Sequence, residues 1–272
     1  MDRVVGRLGD AELVVVILSY NSANELPEAV YSALAQRVPS PFRILIHDDA
    51  SSDSSADVAL SLQRKHPEVI TCILQDRNIF SLGADVFAYC TKMSGAKITW
   101  RLDADDVWID PRKMYLQARA FSDPEVVLCH HSYTTNDVRT GRSWTTPSKP
   151  WWLKRVDGLA LARANWISSP TAAVRASALH DYPDLYPQPV IQDWALWGCL
   201  ATKGSVTTLP FNMSEYRIHG SNYFAGKDPS IFASLTSATR QWVGDHVGGA
   251  TGEYWRRRDR FVHGLEALLP LR

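Results

Sequence analysis

Ile98-Thr99-Trp100-Arg101-Leu102-Asp103-Ala104-Asp105-Asp106-Val107-Trp108 runs a short β-patterned segment straight into three carboxylates within four positions. Carboxylates packed this closely repel one another, and a hard cation is the natural partner that neutralises them. A Mg²⁺ or Mn²⁺ held by one or two carboxylates keeps coordination positions open for phosphate oxygens. The stretch therefore points to chemistry on a phosphorylated or diphosphorylated substrate, with a solvated acidic turn as the plain alternative. It is also the last of four segments with one layout, a strand ending on a polar cluster, and that repetition sets the fold.

The first such segment, Leu13-Val14-Val15-Val16-Ile17-Leu18, is a continuous apolar, β-branched run, as expected of a strand covered on both faces. It stops at Ser19-Tyr20-Asn21-Ser22. A helix follows from Glu25 to Gln36, with Leu26, Ala29, Val30, Ala33 and Leu34 on one stripe. Pro39-Ser40-Pro41 breaks the chain before a second strand, Phe42 to Ile46, which runs into His47-Asp48-Asp49-Ala50-Ser51-Ser52-Asp53 and a capped helix from Ala56 to Lys65. Val69 to Leu74 reads as the third strand, Ser81 to Met93 as the third helix and Lys97 to Leu102 as the fourth strand. Strands alternating with helices at this spacing imply a doubly wound parallel sheet. In such sheets ligands bind beyond the carboxyl ends of the strands, where Ser19-Tyr20-Asn21, Asp48-Asp49, Asp76-Arg77-Asn78 and Asp103 to Asp106 all fall. No Gly-x-Gly-x-x-Gly follows the first strand, which argues against a dinucleotide site.

Beyond Arg112 the pattern loosens. The sequence predicts a helix at Met114–Phe121, a strand at Val126–Cys129, a loop-rich flap from Tyr133 to Asp157, regular structure at Leu159–Trp166 and Thr171–Leu179, and a helix at Ile191–Ala201 with Asp193 near its start. A helical tail begins near Ser230 and includes Arg256-Arg257-Arg258-Asp259-Arg260 beside Phe261, Leu265, Leu268 and Leu269. Such a tail suits packing on the catalytic domain, a homodimer contact or a peripheral helix on an anionic membrane; Gly264, Pro270 and the short apolar face favour packing.

With 29 basic and 29 acidic residues the chain offers no electrostatic case for a nucleic-acid partner. Cys72, Cys90, Cys129 and Cys199 are dispersed and read as reduced, buried thiols. No apolar run approaches the roughly 20 residues of a membrane span and no leader is visible, so the expected location is cytoplasmic. The tryptophans gathered between Trp144 and Trp166 are either core or a sugar-stacking platform, because aromatic faces pack against the C–H faces of sugars as well as against one another.

Val-Ile-Leu-Ser-Tyr-Asn, His-Asp-Asp-Ala-Ser-Ser-Asp, Arg-Leu-Asp-Ala-Asp-Asp-Val-Trp, Gln-Asp-Trp-Ala-Leu-Trp and Tyr216-Arg217-Ile218-His219-Gly220-Ser221-Asn222, in that order, resemble the family 2 glycosyltransferases of the GT-A fold, over roughly Val14 to Tyr223. The resemblance implies an α/β, Rossmann-like, mostly parallel central sheet with helices on both faces and a C-terminal helical tail. It divides the chain into a catalytic domain over 1–225, with a nucleotide half at about 13–110 and an acceptor half at about 111–225, and a helical extension over 226–272. The implied activity is metal-dependent, inverting transfer of a sugar from a nucleotide diphosphate, UDP or dTDP by preference, to an acceptor hydroxyl. The setting it implies is bacterial glycan or glycoconjugate assembly, on a glycan, lipid-linked or protein-linked acceptor, with peripheral contact at the inner face of the membrane as one arrangement.

Residue by residue, Asp49 with Asp48 resembles the group that reads the nucleobase; a carboxylate can accept the imide N–H of uracil or thymine. Asp103 resembles the ribose contact, and Ser19, Tyr20, Asn21, Asn78 and Ala104 complete the implied nucleotide set. Asp105 resembles the principal ligand of a Mg²⁺ or Mn²⁺ cofactor, His219 its partner from the C-terminal side, and Asp106 a support. Asp193 resembles the catalytic base, flanked by the supporting Gln192 and Trp194; favouring a helix N-terminus is its alternative role. The pattern also departs from the family. Gln192 stands where glutamate is frequent, Ala195 where a second acid is frequent, and the arginine–asparagine pair of the third helix is absent. A non-catalytic sugar-binding protein on the same fold is one competing reading. A haloacid-dehalogenase-like phosphatase is another, matched by Asp-x-Asp-x-Val at Asp103–Val107, although that motif belongs on the first strand of its fold and here lies on the fourth.

Overall fold

The computed structural model describes residues 2–9, 11–149, 156–220, 222 and 227–266, the last eight by backbone alone. In chain order the elements are β1 (Arg3–Val5), β2 (Leu13–Ser19), α1 (Leu26–Leu34), β3 (Phe42–Asp48), α2 (Ser55–Lys65), β4 (Ile70–Leu74), α3 (Val86–Ser94), β5 (Ile98–Asp103), β6 (Val107–Trp108), α4 (Lys113–Ala120), β7 (Val126–Asp137), β8 (Arg142–Thr146), α5 (Gly158–Leu161), β9 (Ala173–Arg175), α6 (Gln192–Leu200), β10 (Ser205–Ile218), α7 (Pro229–Val247) and α8 (Gly249–Glu266). One sheet takes the order β1-β4-β3-β2-β5-β9-β7-β10-β6, with β8 paired to β7. The four strands read from the sequence are parallel neighbours at its centre: β2 pairs β3 and β5, and β3 pairs β4. Their apolar side chains alternate between two cores. Val14, Val16 and Leu45 face α3 and α6, while Val15, Ile17, Ile44 and Ile46 face α1 and α2.

Three readings are corrected. The third helix starts at Val86, five residues later than Ser81, because the Asp85 carboxylate accepts the Ala88 N–H (3.0 Å) and caps it. Residues 78–81 instead form an Asx-type turn in which Asn78 Oδ1 accepts the Ser81 N–H (2.7 Å). The flap from Tyr133 is partly sheet: β7 continues to Asp137, pairs β8 on one edge and runs parallel to the 14-residue β10 on the other. Leu159–Trp166 holds only the short α5, and Thr171–Leu179 is two 3-10 turns around β9.

The tail docks on α6. Trp255 is fully buried, its ring 5.8 Å from that of Trp194, and a Cβ on Gly198 would lie 2.8 Å from it. Gly252 of α8 meets the Gly244 carbonyl of α7 so closely that a Cβ there would stand 2.2 Å from the oxygen. Leu268, Leu269 and Pro270 lie outside the described residues, as do Trp151, Trp152, Ser221 and Tyr223. Among the described residues no helix is long and apolar enough to cross a membrane. The four cysteines are buried free thiols.

Candidate active site

A cavity of about 750 Å³ opens over the carboxyl ends of β2, β3 and β5. Four carboxylates line it: Asp49, Asp103, Asp105 and Asp193. The loops around it are tied together before any ligand is considered. Asn21, with φ +50°, accepts the Ser52 N–H at its Oδ1 (2.8 Å), and the Ser22 N–H donates to Ser55 Oγ (2.9 Å). Asp48 accepts the Ser51 N–H (3.1 Å) and hydroxyl (2.6 Å). Asn21 and Asp48 thus brace the β2 and β3 loops and do not line the cavity, whereas Ser19, Tyr20 and Asn78 do. Asp49 accepts the N–H groups of Ile79 (2.8 Å) and Phe80 (3.0 Å), which fixes the loop after β4. Burial raises its pKa against those two hydrogen bonds.

At the end of β5, Asp103 takes a fork from Arg101, Nε at 3.1 Å and Nη2 at 3.4 Å. Burial raises the Asp103 pKa, with Arg101 pulling it back. Ala104 is buried off the cavity, its N–H extending the ladder to the Leu18 carbonyl (2.9 Å). Asp106 is buried as well and accepts the Arg217 N–H (2.9 Å), so it locks the acidic turn to β10; burial drives its pKa well above the ordinary range. Because β10 runs antiparallel against β6, its end delivers His219 to Asp105, with Nε2 to Oδ2 at 2.8 Å. Asn222 Nδ2 approaches the same oxygen at 3.4 Å. Donating a hydrogen bond to the Asp105 carboxylate raises the His219 pKa.

Among the described residues no group of three or more His, Cys, Asp or Glu is arranged for a metal ion. The Asp105–His219 pair nonetheless fits a cation that takes two ligands from protein and the rest from phosphate oxygens and water, since a carboxylate oxygen and an imidazole nitrogen already converge.

Asp193 stands in the first turn of α6 and also lines the cavity. Its carboxylate accepts from Asn165 Nδ2 (3.3 Å), Ser169 Oγ (3.4 Å) and the Trp194 N–H (2.6 Å). Burial raises its pKa, and the nearby Arg101 opposes that rise. Gln192 lines the cavity while its amide holds the Ala84 carbonyl (2.9 Å). Trp194 is turned into the core, where its indole N–H meets the Leu161 carbonyl (2.8 Å). Of the Trp-rich segment, Trp166 lines the cavity and Trp144 is exposed on β8.

Sequence reasoning missed Arg101, Asn165, Ser169, Tyr133 and Tyr216, all of which line this space. Arg101 was findable: it sits two residues before Asp103 on one strand, hence on the same face. Asn165 comes from irregular backbone and Ser169 from a three-residue 3-10 turn, neither with a periodic signal.

The model of glycosyl transferase family 2 matches residues 14–182, and the chain belongs to this family. An uncharacterized glycosyltransferase of Nostoc sp. (strain PCC 7120) is 32% identical over 225 residues, covering 78% of this chain and 66% of that protein. An uncharacterized protein of Mycobacterium tuberculosis (strain H37Rv) is 27% identical over 206 residues, covering 75% and 58%. The chain therefore spans about six tenths of the length of these relatives. Among solved structures, S. aureus TarS 1-349 in complex with UDP-GlcNAc superposes with a TM-score of 0.64 at 16% identity, covering 86% of this chain and 65% of that one. The mannosyltransferase PcManGT from Pyrobaculum calidifontis, in complex with GDP-Man and Mn²⁺, superposes with a TM-score of 0.59 at 14% identity, covering 96% and 76%. These likenesses bear out the α/β fold with its central sheet, flanking helices and helical tail. The phosphatase reading falls with the family assignment.

Proposed function

We propose that the protein transfers a sugar from a nucleotide diphosphate donor, UDP or dTDP by preference, to an acceptor hydroxyl with inversion at the anomeric carbon. The observation that supports this best is the convergence of Asp49, Asp103, Asp105 and Asp193 on a single cavity at the carboxyl ends of the central strands. The nucleoside end lies over Tyr20, Asp49 and Asn78, and Asp103 holds the ribose. Asp105 and His219 would hold a Mg²⁺ or Mn²⁺, which when bound would supply positive charge for the departing diphosphate. The known neighbours complexed with UDP-GlcNAc, and with GDP-Man and Mn²⁺, agree with this class of donor and cofactor.

Asp193 takes the proton of the acceptor hydroxyl as the C–O bond forms. Desolvation makes it more basic than an exposed aspartate, and Arg101 opposes that rise. Attack from the Asp193 side, opposite the diphosphate, inverts the centre. The acceptor, a glycan or a lipid- or protein-linked sugar of bacterial glycan assembly, enters past Trp166 and the Ser168–Ser169 turn, with the work done in the cytoplasm or at the inner membrane face.

Calorimetry of UDP and dTDP tests the cation and donor together. Binding should strengthen at least tenfold with Mn²⁺ in the wild type and lose that gain in Asp105→Ala. Equal wild-type affinity in EDTA would remove the cation from the mechanism. Labelled UDP-sugars that bind but are never transferred or hydrolysed would favour a non-catalytic binding protein.

A further inference from the structure

Asp193 is held between two segments with little regular structure of their own. Residues 164–168 lie outside any helix or strand, and Asn165 among them donates to the Asp193 carboxylate (3.3 Å). On the other side α6 starts directly after Ile191, whose side chain has no polar atom with which to cap the helix. Consecutive residues of α7 anchor both segments. Thr239 is 0% exposed, and its Oγ1 accepts the Ile191 N–H (2.8 Å) while donating to the Leu235 carbonyl (2.6 Å), which fixes the hydroxyl in one orientation. Arg240 is buried too. It donates from Nε to the Ala162 carbonyl and from Nη2 to the Arg163 carbonyl, both at 3.1 Å, and its guanidinium stands 5.2 Å from the Trp194 ring centroid. Those two carbonyls follow the end of α5, where no further helical turn supplies N–H donors.

We infer that Thr239 and Arg240 are positioning residues for the reaction: through them α7 fixes the entry of α6 two residues before Asp193 and the backbone at 162–163 just before Asn165, and so sets where the Asp193 carboxylate stands. The inference rests on the reading of Asp193 as the general base and extends it to the C-terminal tail. A general base has to lie within hydrogen-bond reach of the proton it takes, so a small displacement at its anchors costs rate although nothing at the anchors touches substrate. The groups assigned to the donor, Asp49, Asp103, Asp105 and His219, are placed by β3, β5 and β10. Loosening α7 therefore reaches turnover and spares donor binding.

Thr239→Val keeps the shape of the side chain and leaves the buried Ile191 N–H unpaired, whereas Thr239→Ser keeps the hydroxyl. Release of labelled sugar from UDP-sugars with Mn²⁺ should show kcat lowered about tenfold or more in Thr239→Val, with UDP affinity by calorimetry held within about twofold. Thr239→Ser should stay within about threefold of wild type. Arg240→Gln, too short to span both carbonyls, should lower kcat in the same way as Thr239→Val. In an Asp193→Asn background Thr239→Val should lower turnover no further, because no base is left to misplace. A folded Thr239→Val with wild-type kcat, a Thr239→Ser as impaired as Thr239→Val, or a further tenfold loss in the Asp193→Asn background would overturn the inference. So would a failure of both Thr239→Val and Arg240→Gln to fold, which would make α7 a folding element alone. If Asp193→Asn loses turnover while the α7 variants keep it, only this inference fails; if Asp193→Asn keeps turnover, or the wild type releases no sugar, the reading beneath it fails as well.

Discussion

Replacing Asp193 by asparagine separates chemistry from architecture at this site. The amide is nearly isosteric, and its oxygen can still accept from Asn165 (3.3 Å) and from the Trp194 N–H (2.6 Å). The 3.4 Å contact to Ser169 survives with its direction reversed, the new amide nitrogen donating to the hydroxyl. The fold also loses one charge from a buried cluster: repulsion from Asp103 is relieved while attraction to Arg101 is lost. These two changes oppose each other, so stability should move by no more than about 1 kcal/mol. Donor binding should hold within about twofold, because Asp193 is not among the proposed diphosphate contacts, Asp105 and His219. Turnover should fall by roughly 10² to 10⁴, the usual contribution of a general base, or about 3–5 kcal/mol in barrier height. Release of labelled sugar to water or acceptor, followed beside melting curves and UDP calorimetry, measures all three quantities. Turnover within threefold of wild type in a folded, UDP-binding variant would refute the assignment and leave Asp193 as a helix-start carboxylate.

Two further outcomes are expected. Because burial raises the Asp193 pKa and Arg101 opposes the rise, kcat/KM should fall as pH drops through a midpoint above the ordinary aspartate value of 3.8, and Arg101→Met should move that limb further up; a profile unmoved by the substitution would disconnect the two residues. Trp255→Ala should cost about 3–5 kcal/mol in urea unfolding, since it empties a fully buried indole between Trp194 and Gly198, and a loss under 1 kcal/mol would mean the tail contributes little to the catalytic domain.

The N-terminal half was legible because its strands are covered on both faces: Leu13–Leu18 reads as an unbroken apolar run, Phe42–Ile46 as one broken only by Arg43, and each ends at a polar cluster. β10 was not. Ser205–Ile218 mixes polar and apolar residues in both alternating sets, contains Pro210, and slips register against β7 between Leu209 and Asn212 and again before Ser214, so neither a continuous run nor a clean alternation survives. The candidate site divides along similar lines. The pair Asp48-Asp49 marks the end of β3, yet only pleating separates their roles, turning Asp48 to the Ser51 turn and Asp49 to the cavity on the His47 face. Asp105 and His219 are 114 residues apart, and nothing but the β6–β10 pairing brings them within hydrogen-bond reach.

The electrostatics of the cavity bind these observations to one mechanism. Of the described residues that line it, four are carboxylates and Arg101 is the single lysine or arginine, already forked to Asp103. A diphosphate brought within 4 Å of one such carboxylate meets repulsion on the order of 4 kcal/mol per charge pair at an effective dielectric of 20. The chain nevertheless invests in keeping the acidic turn rigid: Asp106 is locked to the Arg217 backbone, and the Arg217 guanidinium is itself clamped by Glu28 (2.7 and 2.8 Å) and Glu215 (2.9 Å). A rigid acidic wall facing an anionic substrate is unfavourable unless a cation arrives with it. The proposed donor and divalent ion are therefore expected to bind as a unit, and the Mn²⁺ dependence predicted for UDP follows from the charge count of the cavity as much as from the Asp105–His219 geometry.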